Sequence, residues 1–273
     1  MLLTTKAIVL SKRKLEDNDA LVTLMTERSG KLKAIAKGAK SSRSMIAATT
    51  QPFTLGEFVL DVGASWNRVR SVEVLESFRH IQEDLMLMGY GAYFLETASQ
   101  LLQEGEENRR LFQLLSEVLT GLNAYDHRQK EKKEAKDVET ERSSGATSEQ
   151  RLQLDLEWVK IVYELKLLAT MGFEIELKRC VRCGAEGAHV DFSVPEGGAV
   201  CSNCLVDGDD RIGRMLFNIM DYVSKQSVDV LMGTKINRLY ISKLDILCMK
   251  FMKQHLGYQD YKSLEFLKAI RKV

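Results

Sequence analysis

The sequence predicts an α+β chain: a small N-terminal β-barrel, then an all-α helical domain interrupted by a cysteine-rich insertion. Three observations lead there. Short segments rich in β-branched and aromatic residues fill the first 79 positions, apolar stripes at helical spacing follow, and two Cys-x-x-Cys pairs break the later helical pattern.

Five strands are expected at KAIVL (6–10), ALVTLMT (20–26), KLKAIAK (31–37), FTLGEFVLDV (53–62) and VRSVEVLESF (69–78), separated by turn-like pieces such as EDND and ERSG. Five short strands in under 80 residues suit a closed barrel of the OB type, assigned to residues 1–79. Over 81–125, Leu85, Met88, Ala92, Leu95 and Leu102 form one helical stripe. Leu111, Leu115, Val118 and Leu122 form a second, with Asn108 as its start cap. Such stripes are the core faces of packed helices. Residues 126–151 hold seven acids, seven bases and no large apolar residue except Val138, so a flexible or partly helical charged loop is expected. Helical periodicity returns through Leu152, Leu156, Val159 and Tyr163, with Gly172 as a stop. Two further helices follow the cysteine segment, which spans 177–206 within a helical domain of residues 80–273.

With 273 residues, 45% of them hydrophobic, the chain can build two or three small cores. A net charge of +1 names no partner, so any charged partner must be read from local asymmetry. The opening MLLTTKAIVL lacks a signal-peptide pattern, and no apolar run of about 18 residues exists to cross a membrane. Five cysteines, four of them in metal spacing, point to a reducing compartment, so a cytoplasmic location is expected.

Cys180, Cys183, Cys201 and Cys204 read Cys-x2-Cys-x17-Cys-x2-Cys, within zinc-ribbon spacing. Four thiolates complete a tetrahedral shell around Zn2+ and leave no position for water, so the expected site is structural. Binding there contributes about 10 kcal/mol or more to local folding, by analogy with zinc-finger peptides. For a lobe that looks poor in apolar residues, that term decides folding. A thioredoxin-type pair would need a βαβ unit, and a zinc deaminase would need His-x-Glu and a proline before the second pair; Val200 stands there instead. Cys248 lies on an apolar helical pattern and reads as a core thiol.

The sharpest charge asymmetry lies elsewhere. From Arg28 to Gly56 there is no acid, against six bases: Arg28, Lys31, Lys33, Lys37, Lys40 and Arg43. Strand alternation puts Leu32, Ala34 and Ala36 toward the core and Lys31, Lys33, Ile35 and Lys37 outward, with GAKSSRS as a basic loop beyond. Such a face suits phosphates, and OB folds use such grooves for single strands. Phe53, Phe58 and Trp66 are open both to base stacking and to the core.

AIVLSKRKLEDNDALVTLMTERSGKLKAIAKGAKSSRS resembles the N-terminal barrel of the RecO family of bacterial recombination mediators. GAYFLETASQLLQEGEENRRLFQLL resembles that family's first helical segment, and YELKLLATMGFEIELKRCVRCG its passage into the cysteine module. The resemblance implies an OB fold, a helical domain and a zinc-finger-like insertion. It implies binding of single- and double-stranded DNA, annealing of complementary strands, and cooperation with RecR and the acidic C-terminal tail of single-stranded DNA-binding protein. The outcome would be loading of RecA during repair by a nucleoid-associated protein. DNA contact is carried onto Lys31, Lys33, Lys37, Lys40 and Arg43, and the metal onto the four paired cysteines. The long charged stretch at 126–151 and the absence of a proline in MGFEIEL depart from the family pattern.

Two other classes compete. A zinc-ribbon protein acting on RNA or in transcription would concentrate its cations at the ribbon, where Lys178, Arg179 and Arg182 lie. An enzyme would need a motif; there is no P-loop, no His-Glu-x-x-His and no dinucleotide fingerprint, and His80, His127, His189 and His255 are scattered. No enzyme activity is expected.

Overall fold

The computed structural model describes residues 1–15, 18–39, 44–136, 148–187, 189–257 and 261–270. Its N-terminal elements are β1 (Leu2–Lys14), β2 (Ala20–Thr26), β3 (Gly30–Ala36), the short helix α1 (Met45–Thr49), β4 (Leu55–Asp61) and β5 (Asn67–Glu76). The first half of β1 pairs with β4 and its second half with β2. The register shifts between Val9 and Ser11, and the extra residue bends β1 so that it serves both partners. A short parallel pairing, Ala34 with Asn67 and Ile35 with Arg68, joins β3 to β5 and closes the ring in the order β1-β2-β3-β5-β4. Small and large side chains share the interior: Ala7, Ala20, Ala34 and Ala36 leave room for Leu24, Phe58 and Leu60.

The helices α2 (Arg79–Glu83), α3 (Leu85–Leu101) and α4 (Arg109–Lys136) come next. Asp84 caps α3, its carboxylate accepting from the N–H groups of Met86 and Leu87, and Asn108 accepts from Leu111 N–H at the start of α4. Gly91 on α3 lets Phe53 lie against the helix: a Cβ there would stand 2.8 Å from that ring. Phe53 itself adopts φ 76° and is 6% exposed, so this aromatic belongs to the core.

Two compact units emerge, Met1–Glu134 with Tyr261–Val273, and Ala135–Asp260. In the first, the C-terminal helix Lys262–Ile270 packs on α3, and Glu96 accepts from the backbone N–H groups of Lys262 and Ser263 at its start. The second holds α5 (Ser148–Thr170), the strands β6 (Asp191–Ser193), β7 (Gly198–Val200) and β8 (Asp210–Arg211), and the helices α6 (Arg214–Lys225), α7 (Val228–Gly233) and α8 (Arg238–Leu256); α9 (Lys262–Ile270) completes the chain order. Gly172 stops α5 with φ 88°, while Phe173 N–H reaches back to Leu168 C=O and Gly172 N–H to Ala169 C=O. Of the charged stretch 126–151, residues 126–136 continue α4 and 148–151 open α5; the remainder lies outside the described residues.

Between α5 and α8 sits a buried ion cluster. Lys160 Nζ lies 2.8 Å from Glu164 and 2.7 Å from Asp245. Burial pulls the Lys160 pKa down, but the two carboxylates outweigh it and raise it above the ordinary value. Cys248 is 1% exposed, and burial pushes its thiol well up, as befits a core residue. No helix among the described residues is long and apolar enough to cross a membrane.

Candidate metal centre and nucleic-acid face

Two tight turns bring the four paired cysteines together. Gly184 N–H donates to Cys180 C=O at 2.8 Å, and Cys204 N–H to Cys201 C=O at 3.0 Å. Gly184, with φ 74°, takes the left-handed conformation that the first turn requires. The Sγ atoms of Cys180, Cys183, Cys201 and Cys204 all lie within 4.8 Å of one another, and Cys183 and Cys201 are 3.7 Å apart. Four sulfurs at about 2.3 Å from a tetrahedral ion would stand about 3.8 Å apart, so this set fits a metal ion. Burial works against ionisation of Cys180, but N–H groups of Cys201, Cys183 and Arg182 outweigh it and bring its thiol down to about 6. Hydrogen bonds with the Cys183 and Cys201 sulfurs, helped by burial, push Cys204 up to about 12. Four adjacent thiolates repel one another unless a cation sits among them.

The module has more core than its composition suggests. All residues of β6 and β7 are buried, and Phe192 packs its ring 6.2 Å from Phe217 on α6 and 6.0 Å from Phe251 on α8. The segment is therefore not the apolar-poor lobe expected, because its few large side chains dock on helices distant in sequence. Glu176 and Gly198 run side by side, and a Cβ on Gly198 would meet the Glu176 carbonyl at 2.6 Å.

Arg182, inside the first cysteine pair, ties the module together. Its guanidinium donates to Asp209 Oδ2 at 2.6 Å and Oδ1 at 2.9 Å, to Cys204 C=O at 2.6 Å and to Glu196 at 2.9 Å. This planar fork fixes the two cysteine pairs relative to each other. It also holds the Asp209 carboxyl below its usual range. Neighbouring Arg179 pairs with Glu186 at 3.2 Å. Most of the module's positive charge is thus spent internally.

On the barrel, the alternation expected for β3 is present: Ala34 and Ala36 are fully buried, Leu32 packs against the core, Lys33 is exposed and Lys31 and Ile35 are half-buried. The lysines differ sharply in their surroundings. Lys31 Nζ donates to Ser99 C=O at the end of α3 at 2.6 Å, and burial lowers its pKa. Lys33 pairs with Glu104, whose carboxyl is lowered by that hydrogen bond. Gly105 N–H donates to Lys31 C=O at 3.0 Å, and a Cβ on Gly30 would lie 2.1 Å from the Glu106 carbonyl oxygen. The 104–106 segment therefore covers the start of β3. Lys37 is exposed, with no ion pair among the described residues. Lys40 and Arg43 lie outside the described residues. Gly38 N–H donates to Asp19 Oδ1 at 2.9 Å, which anchors the start of the basic loop.

Phe58 is fully buried, whereas Trp66, between β4 and β5, is 55% exposed. Only Trp66 of the three aromatics offers a face to a base. Sequence reasoning missed the partners of Lys31 and Lys33 and the role of Arg182, since these depend on residues distant in the chain.

A family model described as "Recombination protein O N terminal" matches residues 1–78, and one described as "Recombination protein O C terminal" matches 82–132 and 150–265. The second match breaks inside the charged 126–151 stretch. Curated relatives named "DNA repair protein RecO" include one from Alkaliphilus metalliredigens, 30% identical over 99% of this chain and 100% of the relative. Another, from a Thermoanaerobacter species, is 28% identical over 99% and 98%. A third, from Symbiobacterium thermophilum, is 32% identical over 75% and 72%.

Proposed function

The chain belongs to the recombination protein O family, and on that premise we propose that it is a recombination mediator in DNA repair whose barrel, residues 1–79, binds DNA. It binds single- and double-stranded DNA, anneals complementary strands and, with RecR, helps load RecA onto DNA coated by single-stranded DNA-binding protein. The acidic tail of that protein is a further partner, and the site of action is the cytoplasmic nucleoid. The observation that carries this reading is the acid-free basic stretch Arg28–Gly56, whose Lys37, in the turn after β3, is exposed with no ion pair among the described residues.

Annealing needs no covalent step and so no catalytic residue. Two polyanionic strands repel; a basic surface lowers that repulsion, and base pairing supplies the driving force. Cys180, Cys183, Cys201 and Cys204 hold a structural Zn2+, which supplies folding energy to the 177–206 module. The reading as an RNA- or transcription-associated ribbon loses support, because Arg179 and Arg182 are occupied by Glu186, Glu196 and Asp209.

The test is strand annealing on DNA coated with single-stranded DNA-binding protein, with and without RecR. The reading expects annealing that falls with salt and RecA loading only when RecR is present. Absence of annealing together with absence of binding to naked DNA would overturn it.

A further inference from the structure

We propose that an unpaired DNA strand crosses the barrel along a row over four strands, Arg13, Leu21, Ile35 and Arg68, and turns toward Trp66, where a base stacks. This rests on the reading that the barrel is the DNA surface, and it names the path and the substrate class.

The row follows from the register. Arg13 stands opposite Leu21, Leu21 opposite Ile35, and Ile35 opposite Arg68. Directly opposed residues share one face of a sheet. Their neighbours Ala20, Val22, Ala34, Ala36 and Val69 fill the barrel, so the row faces outward. Arg13 and Arg68 are exposed and make no ion pair among the described residues; Leu21 and Ile35 are half-buried. Four strands at about 4.8 Å spacing put the two arginines about 14 Å apart, with an apolar floor between them. That order, cation, apolar, apolar, cation, suits phosphates at the ends and base faces in the middle. A duplex keeps its base faces stacked inside and has no use for the floor.

Two features direct the strand toward Trp66. Asp61 stands opposite Arg68 on the far side, and its carboxylate lies 3.9 Å from Arg70, so these two charges on that side are already paired with each other. On the near side, Asn67 donates its side-chain amide to Lys33 C=O at 2.9 Å and fixes the segment that presents Trp66. Residues 62–72 contain no acid. Lys31 and Lys33, occupied by Ser99 and Glu104, lie beside this path rather than on it.

The full-length protein carries its own probe. Of its two tryptophans, Trp158 is 2% exposed with its indole N–H bonded to Leu231 C=O, so quenching by oligo(dT) reports Trp66. Expected are quenching on binding, an affinity for oligo(dT) about tenfold weaker in Trp66→Ala, and near-normal affinity in Trp66→Phe, which keeps a ring. Arg13→Glu with Arg68→Glu should lower the salt slope by about 1.4, two contacts at about 0.7 each. Duplex affinity should change less than single-strand affinity in Trp66→Ala. Thermal melts check that each variant is folded. Wild-type binding without quenching, with folded variants that bind like wild type, overturns the path while leaving DNA binding intact. Equal losses for duplex and single strand overturn the single-strand assignment. A wild type that fails to bind oligo(dT) ends both readings.

Discussion

The barrel face and the cysteine module both look basic in sequence, yet they use their cations differently. In the module, Arg182 is held by Asp209, Glu196 and the Cys204 carbonyl, and Arg179 by Glu186. On the barrel, Arg13, Lys37 and Arg68 have no ion pair among the described residues, while Lys31 and Lys33 are occupied. The lesson is that a count of bases does not measure free positive charge. A cation that has found a carboxylate within its own fold acts as a tie, and one that has not remains available to a polyanion.

The largest expected effect falls on the module. Cys180→Ser removes one of four thiolates, and metal binding of this kind is worth about 10 kcal/mol or more. Elemental analysis should show zinc lost, and limited proteolysis should cut within 177–206, while affinity for DNA changes little. A parallel collapse of DNA affinity would dissolve the division between the two regions.

Lys160 is the extreme case of a committed cation. Lys160→Met removes the ammonium that faces Glu164 and Asp245, at a cost of about 3–5 kcal/mol in chemical denaturation. Its pKa is raised in the folded state. The contribution is therefore fully present below the unfolded value, about 10.4, and is lost only as pH rises through the higher folded value. The stability difference between wild type and variant should not shrink from about pH 6 to 9, because buried Glu164, deprived of the ammonium, destabilises the variant more as pH rises. A difference that shrinks across that window would show that the ion cluster is not what the lysine stabilises.

Arg182→Lys keeps the charge but loses the planar fork. Affinity for zinc, measured by competition with a chromogenic chelator, should weaken about ten- to a hundredfold, as for other residues that orient ligands. An unchanged affinity would mean that the cysteine turns hold their geometry unaided. The smallest effect has the opposite sign. Glu104→Gln releases Lys33 from its exposed pair, and single-strand affinity at low salt should rise about twofold. A fall would indicate that Glu104 serves DNA binding by ordering the face.

Much of this was legible in sequence because it is local. The strands follow from β-branched runs between turn residues, and β3 follows from the alternation of alanines with lysines. The cysteine cluster follows from spacing that a single ion imposes. The rest depends on contacts that spacing does not encode. Lys31 meets a carbonyl 68 residues away and Lys33 a carboxylate 71 residues away, so two outward lysines became occupied ones. Arg182 reads as a surface base until Asp209, 27 residues on, is brought to it. Phe58 and Trp66 are equivalent as composition, and only closure of the barrel buries one and exposes the other. The module's small core was missed for the same reason, since Phe192 is completed by Phe217 and Phe251.

The central claim is that DNA binds the free cations of the barrel and not those of the module. It is tested most directly by titrating oligo(dT) over a range of salt concentrations with two full-length variants, Arg13→Glu/Lys37→Glu/Arg68→Glu and Lys178→Glu/Arg179→Glu. The barrel variant should lose most of its affinity, with a salt slope shallower by about 2. The module variant should bind like wild type. The reverse pattern, with a wild-type slope in the barrel variant and lost affinity in the module variant, would contradict the account.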